Sequence, residues 1–304
     1  ATSNIDTRAD LTFILAQAET RTTQADAIFD GLATVKGKAD SKGLMWALGN
    51  NRRALGILAT TADGKQYYEL DKEMNLIAKE DTETAEYIED KFAVPSDVIN
   101  IEENSVLIVD QKGRRWRLPL GDERYKEKIE KAELRICREV STERDLFSCF
   151  GTFYELPAEN ADGFAKIRPV SSHKFAINDY ASYRGMMMLT GIHHAKAKGN
   201  PHIVISEDGK AAVWAGAIDD LWKLGKPVGH GGPWLETEVK AREKSDPFLI
   251  GFYDKREMTL SHAESSEVVF TVEVDPTGDG QWFKYADFEV KPGASFKHKF
   301  PKVF

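Results

Sequence analysis

Histidine and arginine residues stand at the ends of short apolar segments between residues 151 and 234. His173 follows such a segment, and His230 lies in residues 229–234, where three glycines allow a ligand to approach the backbone closely. Imidazole and guanidinium groups at strand ends are the groups that an acid–base reaction on an anionic substrate needs. A plain connection between strands would explain the glycines around His230 equally well.

Arg184 directly precedes the apolar segment 186–190. A buried guanidinium group requires a carboxylate partner, which either the protein or a ligand supplies. Within the protein, Asp179 or Asp219 would be that partner; otherwise Arg184 contacts a ligand. The candidate catalytic residues are therefore His173, Tyr183, Arg184 and His230.

Paired acids and aromatic residues surround these candidates. Adjacent carboxylates at Asp219 and Asp220 could hold a structural Ca²⁺, orient an arginine, or act as acid and base, although a catalytic pair usually comes from separate elements. Aromatic faces in this stretch could stack on sugar rings, or could simply fill the core, since Tyr and Trp bury large areas. The candidate substrate-binding residues are Tyr180, Asp219, Asp220, Trp222, Lys226 and Trp234.

Other reaction types lack their residue patterns. His193 and His194 are neighbours, so in a strand they would point to opposite faces, and the spacing of a metal-binding pair is missing. No nucleophile elbow, zinc-protease motif, phosphate-binding loop or dinucleotide-binding glycine pattern occurs in a usable context. The sequence predicts no metal centre and no cofactor, apart from the structural Ca²⁺ considered above.

Charge and hydropathy exclude two classes of partner. The formal net charge of −8 argues against a nucleic-acid-binding protein, which normally presents a basic face. No run of apolar residues is long enough to span a membrane. Residues 1–4 are compatible with a signal-peptide cleavage site or with the end of a fragment.

Turn signals recur along the chain and predict an all-β fold. Asp-Gly or Lys-Gly pairs end at Gly64, Gly113, Gly163 and Gly209, roughly every 46 to 50 residues, and most lie between an apolar segment and one with aromatic residues. This is the spacing of blades in a β-propeller, and the alternative is an all-β protein with evenly placed turns. We predict a propeller of six or seven blades over residues 1–244, either complete or as part of a longer chain. Residues 245–304 would form a last blade or a β-sandwich-like appendage.

The two cysteines allow a disulfide but do not require one. If residues 140–145 form a hairpin turn, Cys137 and Cys149 would face each other across two strands. Two small core residues are the alternative.

Several strings resemble a known group of proteins: residues 151–157, 163–170, 182–185, and the stretch from 216–222 through 231–234. They resemble secreted bacterial β-propeller proteins of polysaccharide-degrading bacteria, over roughly residues 147–301. Enzymes of this group are seven-bladed propellers that act on L-rhamnose linked to D-glucuronate, as hydrolases or lyases. The resemblance implies a secreted or periplasmic protein whose partner is an acidic oligo- or polysaccharide.

The implied reaction is cleavage beside a uronate. A lyase removes the C5 proton of the uronate, so it needs a cation for the carboxylate and a base such as His or Tyr. A hydrolase needs an acid near the glycosidic oxygen and an activated water, roles open to Asp219 or Asp220 with His230. The alternative is a propeller without catalysis that binds a glycan or a protein.

Overall fold

The structure is a computed structural model that describes residues 6–16, 27–49, 52–92, 99–110, 112–123, 125, 138–141, 144–158 and 161–302. It is mostly β, with 48% of residues in strands and 12% in helices. Cys137, and with it the predicted disulfide, lies outside the described residues, as does most of the charged stretch 123–133.

The described strands form five small antiparallel sheets and one separate hairpin. Sheet 1 contains β2 (Lys42–Leu48), β3 (Ala54–Thr61), β4 (Gly64–Leu70) and β5 (Leu76–Ala78). Sheet 2 contains β6 (Ile99–Ile101), β7 (Val106–Val109) and β8 (Arg115–Leu118). Sheet 3 contains β9 (Arg138–Ser141), β10 (Arg144–Cys149), β11 (Thr152–Leu156) and β12 (Arg168–Ser172).

Sheet 4 contains β13 (Tyr180–Tyr183), β14 (Met186–Leu189), β15 (Ile203–Ile205) and β16 (Ala212–Gly216), in the order β13-β14-β16-β15. Sheet 5 joins β1 (Asp6–Ala16) to β17 (Gly229–Lys240), β18 (Lys255–His262) and β21 (Phe296–Lys299). The separate hairpin consists of β19 (Val268–Val274) and β20 (Phe283–Val290). Helix α1 spans Thr82–Phe92, and α2 is the single turn His194–Ala197.

The predicted turns are partly hairpins. Gly64, Gly113 and Gly209 lie in the connections β3–β4, β7–β8 and β15–β16, each between two paired strands. Gly163 instead begins a 3₁₀ helix, Gly163–Lys166, within the longer connection between β11 and β12. The all-β prediction is therefore confirmed at the level of small antiparallel sheets, while a propeller is not shown.

Sheet 5 brings the two ends of the chain together. β1 lies between β17 and β18, with Ile14 opposite His230 on one side and opposite Glu257 on the other. In β18 the buried residues alternate with more accessible ones, from Arg256 to His262, which is the pattern of a strand with one covered face. The sheet includes strands from both sides of residue 244, where the sequence suggested a domain boundary.

The hydrophobic clusters show which sheets pack on each other. Sheet 1 packs on sheet 4, sheet 4 on sheet 3, and sheet 3 on sheet 2. The separate hairpin packs on sheet 5. β3 is buried along residues 54–59 because sheet 4 covers one face, while Ile88 of α1 packs against Leu58 on the other. Single bridges link the surroundings of sheets 5 and 2: Leu120, just after β8, pairs with His230 of β17, and Arg117 of β8 pairs with Phe248 in the connection between β17 and β18.

Candidate functional site

His173 lies in the core just after β12. Its ring is 6% exposed and packs 4.7 Å from the ring of Phe153. The backbone N–H of Phe175 donates to Nδ1 at 3.2 Å, and the hydroxyl of Tyr125 lies 3.0 Å from the same nitrogen. Nε2 faces Oγ of Ser148 at 3.4 Å. Both ring nitrogens therefore face protein groups in the core, and the arrangement is a structural one.

Arg184 is exposed at the tip of the hairpin β13–β14. Tyr183 pairs with Met186, so Arg184 and Gly185 form a two-residue loop, and their φ angles of 51° and 77° are those of a type I′ turn. The expectation of a buried guanidinium group was wrong, because the apolar segment begins only after the turn has reversed the chain. Tyr183 is fully buried between sheets 1 and 4. Burial raises the pKa of its hydroxyl, which has no hydrogen-bond partner among the described residues.

Tyr180 is a core residue. Its hydroxyl donates to the carbonyl oxygen of Leu146 at 2.6 Å and accepts the N–H of Ser148 at 3.2 Å. These two bonds connect sheet 4 to sheet 3, so both the ring and the hydroxyl serve packing. Its position, 1% exposed, leaves no face for a sugar ring.

We use the name Asp179 seam for the hydrogen bonds that link residues 43 and 45 of β2 to residues 178, 179 and 190. The N–H of Gly43 donates to Oδ1 of Asn178 at 2.9 Å, and the N–H of Met45 donates to Oδ2 of Asp179 at 2.6 Å. The hydroxyl of Thr190 donates to the carbonyl oxygen of Gly43 at 2.7 Å. Because β2 is the edge strand of sheet 1, these side chains take the place of a further strand at its free edge.

The acids 219 and 220 have separate roles. Asp220 is buried at the start of the 3₁₀ helix Ile218–Leu224, where Oδ2 accepts the N–H of Ala217 at 3.0 Å and Oδ1 accepts Nζ of Lys223 at 2.7 Å. Asp219 is exposed. Trp222, on the same short helix, is 67% exposed, so its ring is open to solvent.

His230 lies on β17 with part of its ring accessible. Its Nε2 is 2.5 Å from Oε1 of Glu123, an imidazole–carboxylate contact with an exposed acid. Lys226 is exposed and forms an ion pair with Asp254 at 2.8 Å. Trp234 is half-buried opposite Leu11 of β1.

The ten predicted site residues are thus spread over several regions of the molecule. His173 follows a strand of sheet 3, Tyr180, Tyr183 and Arg184 belong to the first hairpin of sheet 4, and His230 belongs to sheet 5. Even two of the buried residues, His173 and Tyr183, lie in separate parts of the core.

A cleft of about 270 Å³ lies elsewhere, between the turn of sheet 2 and the turn of the hairpin β19–β20. Trp116 and Trp282 line it, and we call it the Trp116–Trp282 cleft. Trp282 is 44% exposed, and the guanidinium carbon of Arg114 lies 4.9 Å from the ring centroid of Trp116. The remaining lining residues are Arg114, Arg115, Asp162, Ala165, Pro247, Asp275, Gly278, Asp279 and Gly280.

The turn of the hairpin is built to approach the 3₁₀ helix Gly163–Lys166. Asp275 accepts four backbone N–H bonds, from Thr277 and Gly278 through to Gly280, which fixes the turn. Gly278 has a φ of 65°, and a Cβ there would be 2.3 Å from the carbonyl oxygen of Ala165. Only glycine allows this contact, so the width of the cleft depends on residue 278.

Sequence reasoning missed the cleft because its residues come from four distant stretches, 114–116, 162–165, 247 and 275–282. The sequence pattern indicated only a segment with aromatic residues after the turn at Gly113, and a last blade or appendage over residues 245–304. A usable signal was present: tryptophan next to a turn in both places, at Lys112-Gly113 before Trp116 and at Gly280 before Trp282.

In the part of the chain that the structure describes, no group of three or more His, Cys, Asp or Glu side chains is arranged to hold a metal ion. His193 and His194 both contact the Asp40–Ser41 segment: Nδ1 of His193 lies 2.8 Å from Oδ2 of Asp40, and Nε2 of His194 lies 3.3 Å from Oγ of Ser41. The described helices include none of the length and hydropathy needed to cross a membrane.

The chain was also compared with known proteins. No protein-family model matches it, and neither a curated protein nor a solved structure matches it.

Proposed function

We propose that this protein binds carbohydrate in the Trp116–Trp282 cleft. The observation that carries the proposal is a concave surface lined by two tryptophan rings together with guanidinium and carboxylate groups. Sugar rings have apolar C–H faces that pack on indole and hydroxyl groups that bond to such charged groups. The volume of the cleft, about 270 Å³, is close to the lower end of small-molecule sites, which begin at roughly 300 Å³. One sugar unit of a longer chain would occupy it.

Titration calorimetry with neutral and acidic oligosaccharides tests this proposal. Trp282→Ala should weaken binding by about tenfold or more, since the loss of one aromatic stacking partner costs roughly 0.5–1.5 kcal/mol beyond the area it buries. Trp222→Ala is the matched control, because Trp222 is more exposed and lies outside the cleft. Loss of binding in Trp222→Ala but not in Trp282→Ala would move the site to the residues predicted from sequence.

A second candidate function is cleavage of a uronate-containing glycan, as the sequence resemblance implies. The contact between His230 and Glu123 supports it, because an imidazole beside a carboxylate is a pairing suited to proton transfer, although Nε2 of His230 is itself buried. A lyase would generate an unsaturated product with ultraviolet absorbance, and a hydrolase would generate reducing ends without it. Turnover that is unchanged in both His230→Gln and Glu123→Gln would contradict this assignment.

The ring arrangement of a propeller is a further proposal about the fold that carries the cleft. It is supported by sheet 5, in which the N-terminal strand joins C-terminal strands, and by the succession of packed sheets 5, 2, 3, 4 and 1. This succession differs from the order along the chain, so the ring would be an irregular one of five blades. A closed ring requires sheet 1 to pack against sheet 5. An experimental structure with solvent between these two sheets would contradict the ring arrangement.

A further inference from the structure

We propose that the Trp116–Trp282 cleft selects neutral sugars over uronates, an inference that rests on the carbohydrate-binding function proposed above. The reason lies in how the charged groups of the cleft are already paired. A uronate needs a cation with free charge, whereas a neutral sugar needs open hydrogen-bond acceptors for its hydroxyl groups.

Arg115 is neutralised by a bidentate pair. Its Nε and Nη2 donate to the two oxygens of Asp246 at 2.9 and 3.2 Å. Asp246 also accepts Nε of Arg117 at 2.8 Å, and Arg117 in turn contacts Glu102. Burial opposes ionisation of Asp246, but the two arginines outweigh it and lower its pKa, while the bond to Asp246 raises the pKa of Arg115. The two arginines and two acids of this network balance in charge.

Arg114 is paired as well. Its Nε donates to Oδ2 of Asp110 at 2.8 Å, and the same carboxylate accepts the backbone N–H groups of Lys112 and Arg114. Its guanidinium group also packs over Trp116. Asp110 offsets part of the positive charge of Arg114, so this group offers a uronate less attraction than an unpaired arginine would.

The carboxylates of the cleft keep unused capacity. Asp162 uses Oδ2 for Lys166 at 2.7 Å, and Asp279 uses Oδ1 for the N–H of Gln281 at 2.9 Å. The second oxygen of each has no hydrogen-bond partner among the described residues, and both side chains are exposed. Charged acceptors form the stronger class of hydrogen bond with a hydroxyl donor.

The net charge of the cleft also favours a neutral sugar over a uronate. Three carboxylates and two guanidinium groups line the cleft, and the whole chain has a formal charge of −8. An anionic sugar therefore meets repulsion that the paired arginines do not offset, whereas a neutral sugar does not. Binding of a neutral sugar should also depend little on ionic strength.

The test is calorimetric titration with cellohexaose, xylohexaose, mannohexaose and hexagalacturonate, at low and high NaCl. We expect a neutral hexaose to bind about tenfold tighter than hexagalacturonate, with an affinity that salt barely changes. Asp279→Asn should weaken the neutral ligand about threefold to tenfold, because a charge-assisted bond becomes a neutral one, and should strengthen hexagalacturonate. Asp219→Asn, which removes an exposed carboxylate outside the cleft, should change neither.

The possible failures are distinguishable. Tighter, salt-sensitive binding of hexagalacturonate that Trp282→Ala abolishes would overturn the selectivity and leave carbohydrate binding in the cleft intact. If none of these oligosaccharides binds saturably, both proposals are overturned.

Discussion

The Asp179 seam and the Trp116–Trp282 cleft use the same kinds of polar groups in opposite ways. In the seam, Asp179 is fully buried and its two oxygens accept the N–H groups of Met45 and Tyr180. In the cleft, Asp162 and Asp279 are exposed and each keeps an oxygen without a partner among the described residues. A carboxylate in the seam joins two sheets, whereas one in the cleft can still bind a ligand. The hydrogen bonds that a carboxylate already makes, rather than the residue type, separate the structural group of the seam from the groups proposed to bind a ligand in the cleft.

The largest effect should follow from removing the carboxylate of the seam. Asp179→Ala leaves two buried N–H groups unpaired, and each costs about 1–3 kcal/mol, so stability should fall by about 2–5 kcal/mol. Urea unfolding measures this. The control is Asp219→Ala, which should stay within about 0.5 kcal/mol of the parent because Asp219 is exposed. Equal stability of the two variants would mean that the seam does not hold sheets 1 and 4 together.

Next in size is Gly278→Ala, which acts on the cleft. The added Cβ would be 2.3 Å from the carbonyl oxygen of Ala165, and φ at this position is 65°. We expect a loss of about 1–3 kcal/mol and weaker sugar binding, because the hairpin turn must move away from the 3₁₀ helix. Gly280→Ala is the control: it too has a positive φ, but nothing lies within 4 Å of its Cβ. Similar sugar affinity in both variants would show that the contact with Ala165 does not set the cleft width.

Tyr180 and Tyr183 lie near the seam and differ in whether their hydroxyl groups make hydrogen bonds among the described residues. Tyr180→Phe removes an acceptor for the N–H of Ser148 and a donor to Leu146, and should cost about 1–2 kcal/mol. Tyr183→Phe removes a buried hydroxyl that has no hydrogen-bond partner in the described part of the chain, and should be neutral or stabilising. Thermal or urea unfolding of both variants decides this. A greater loss in Tyr183→Phe would reveal a partner for that hydroxyl.

The smallest effect concerns pH beside the cleft. The pKa of Asp246 is lowered in the folded protein, so its contribution is present above the ordinary pKa of 3.8 and is lost as pH falls through the folded value. Asp246→Asn should therefore reduce stability by about 1 kcal/mol at neutral pH, since it breaks a partly exposed ion-pair network. The loss should become progressively smaller as the pH falls below the ordinary pKa of 3.8. Unfolding curves across this range measure it, with Asp219→Asn, which removes an exposed carboxylate outside the network, as the control. A constant difference at every pH would contradict the assignment.

Local features were predictable where the cause is local. The turn at Asp63-Gly64 lies between two apolar segments, and the structure has β3 and β4 there. The helix α1 has Glu83 in its first turn and Lys91 in its last, the charge order that favours a helix. Arg184 shows the limit: sequence proximity to an apolar strand suggested burial, but the two-residue turn places its side chain in solvent.

The residues of the cleft were not predictable in the same way. Trp116 and Trp282 are far apart in the chain, and they meet because β18 joins β1, the hairpin packs on sheet 5, and sheet 5 bridges to sheet 2. These contacts are non-local, and no turn or periodicity in the sequence encodes them.

The sequence alone therefore determined the class of secondary structure, the positions of most strands and turns, and the acidic balance of the chain, because each depends on neighbouring residues or on composition. The tertiary structure decided which polar groups are buried with partners and which face a cleft, because burial depends on which sheets pack together. His173 and Tyr180 have the residue types of a site and lie in the core, while Asp162 and Asp279 occupy ordinary turns and line the cleft.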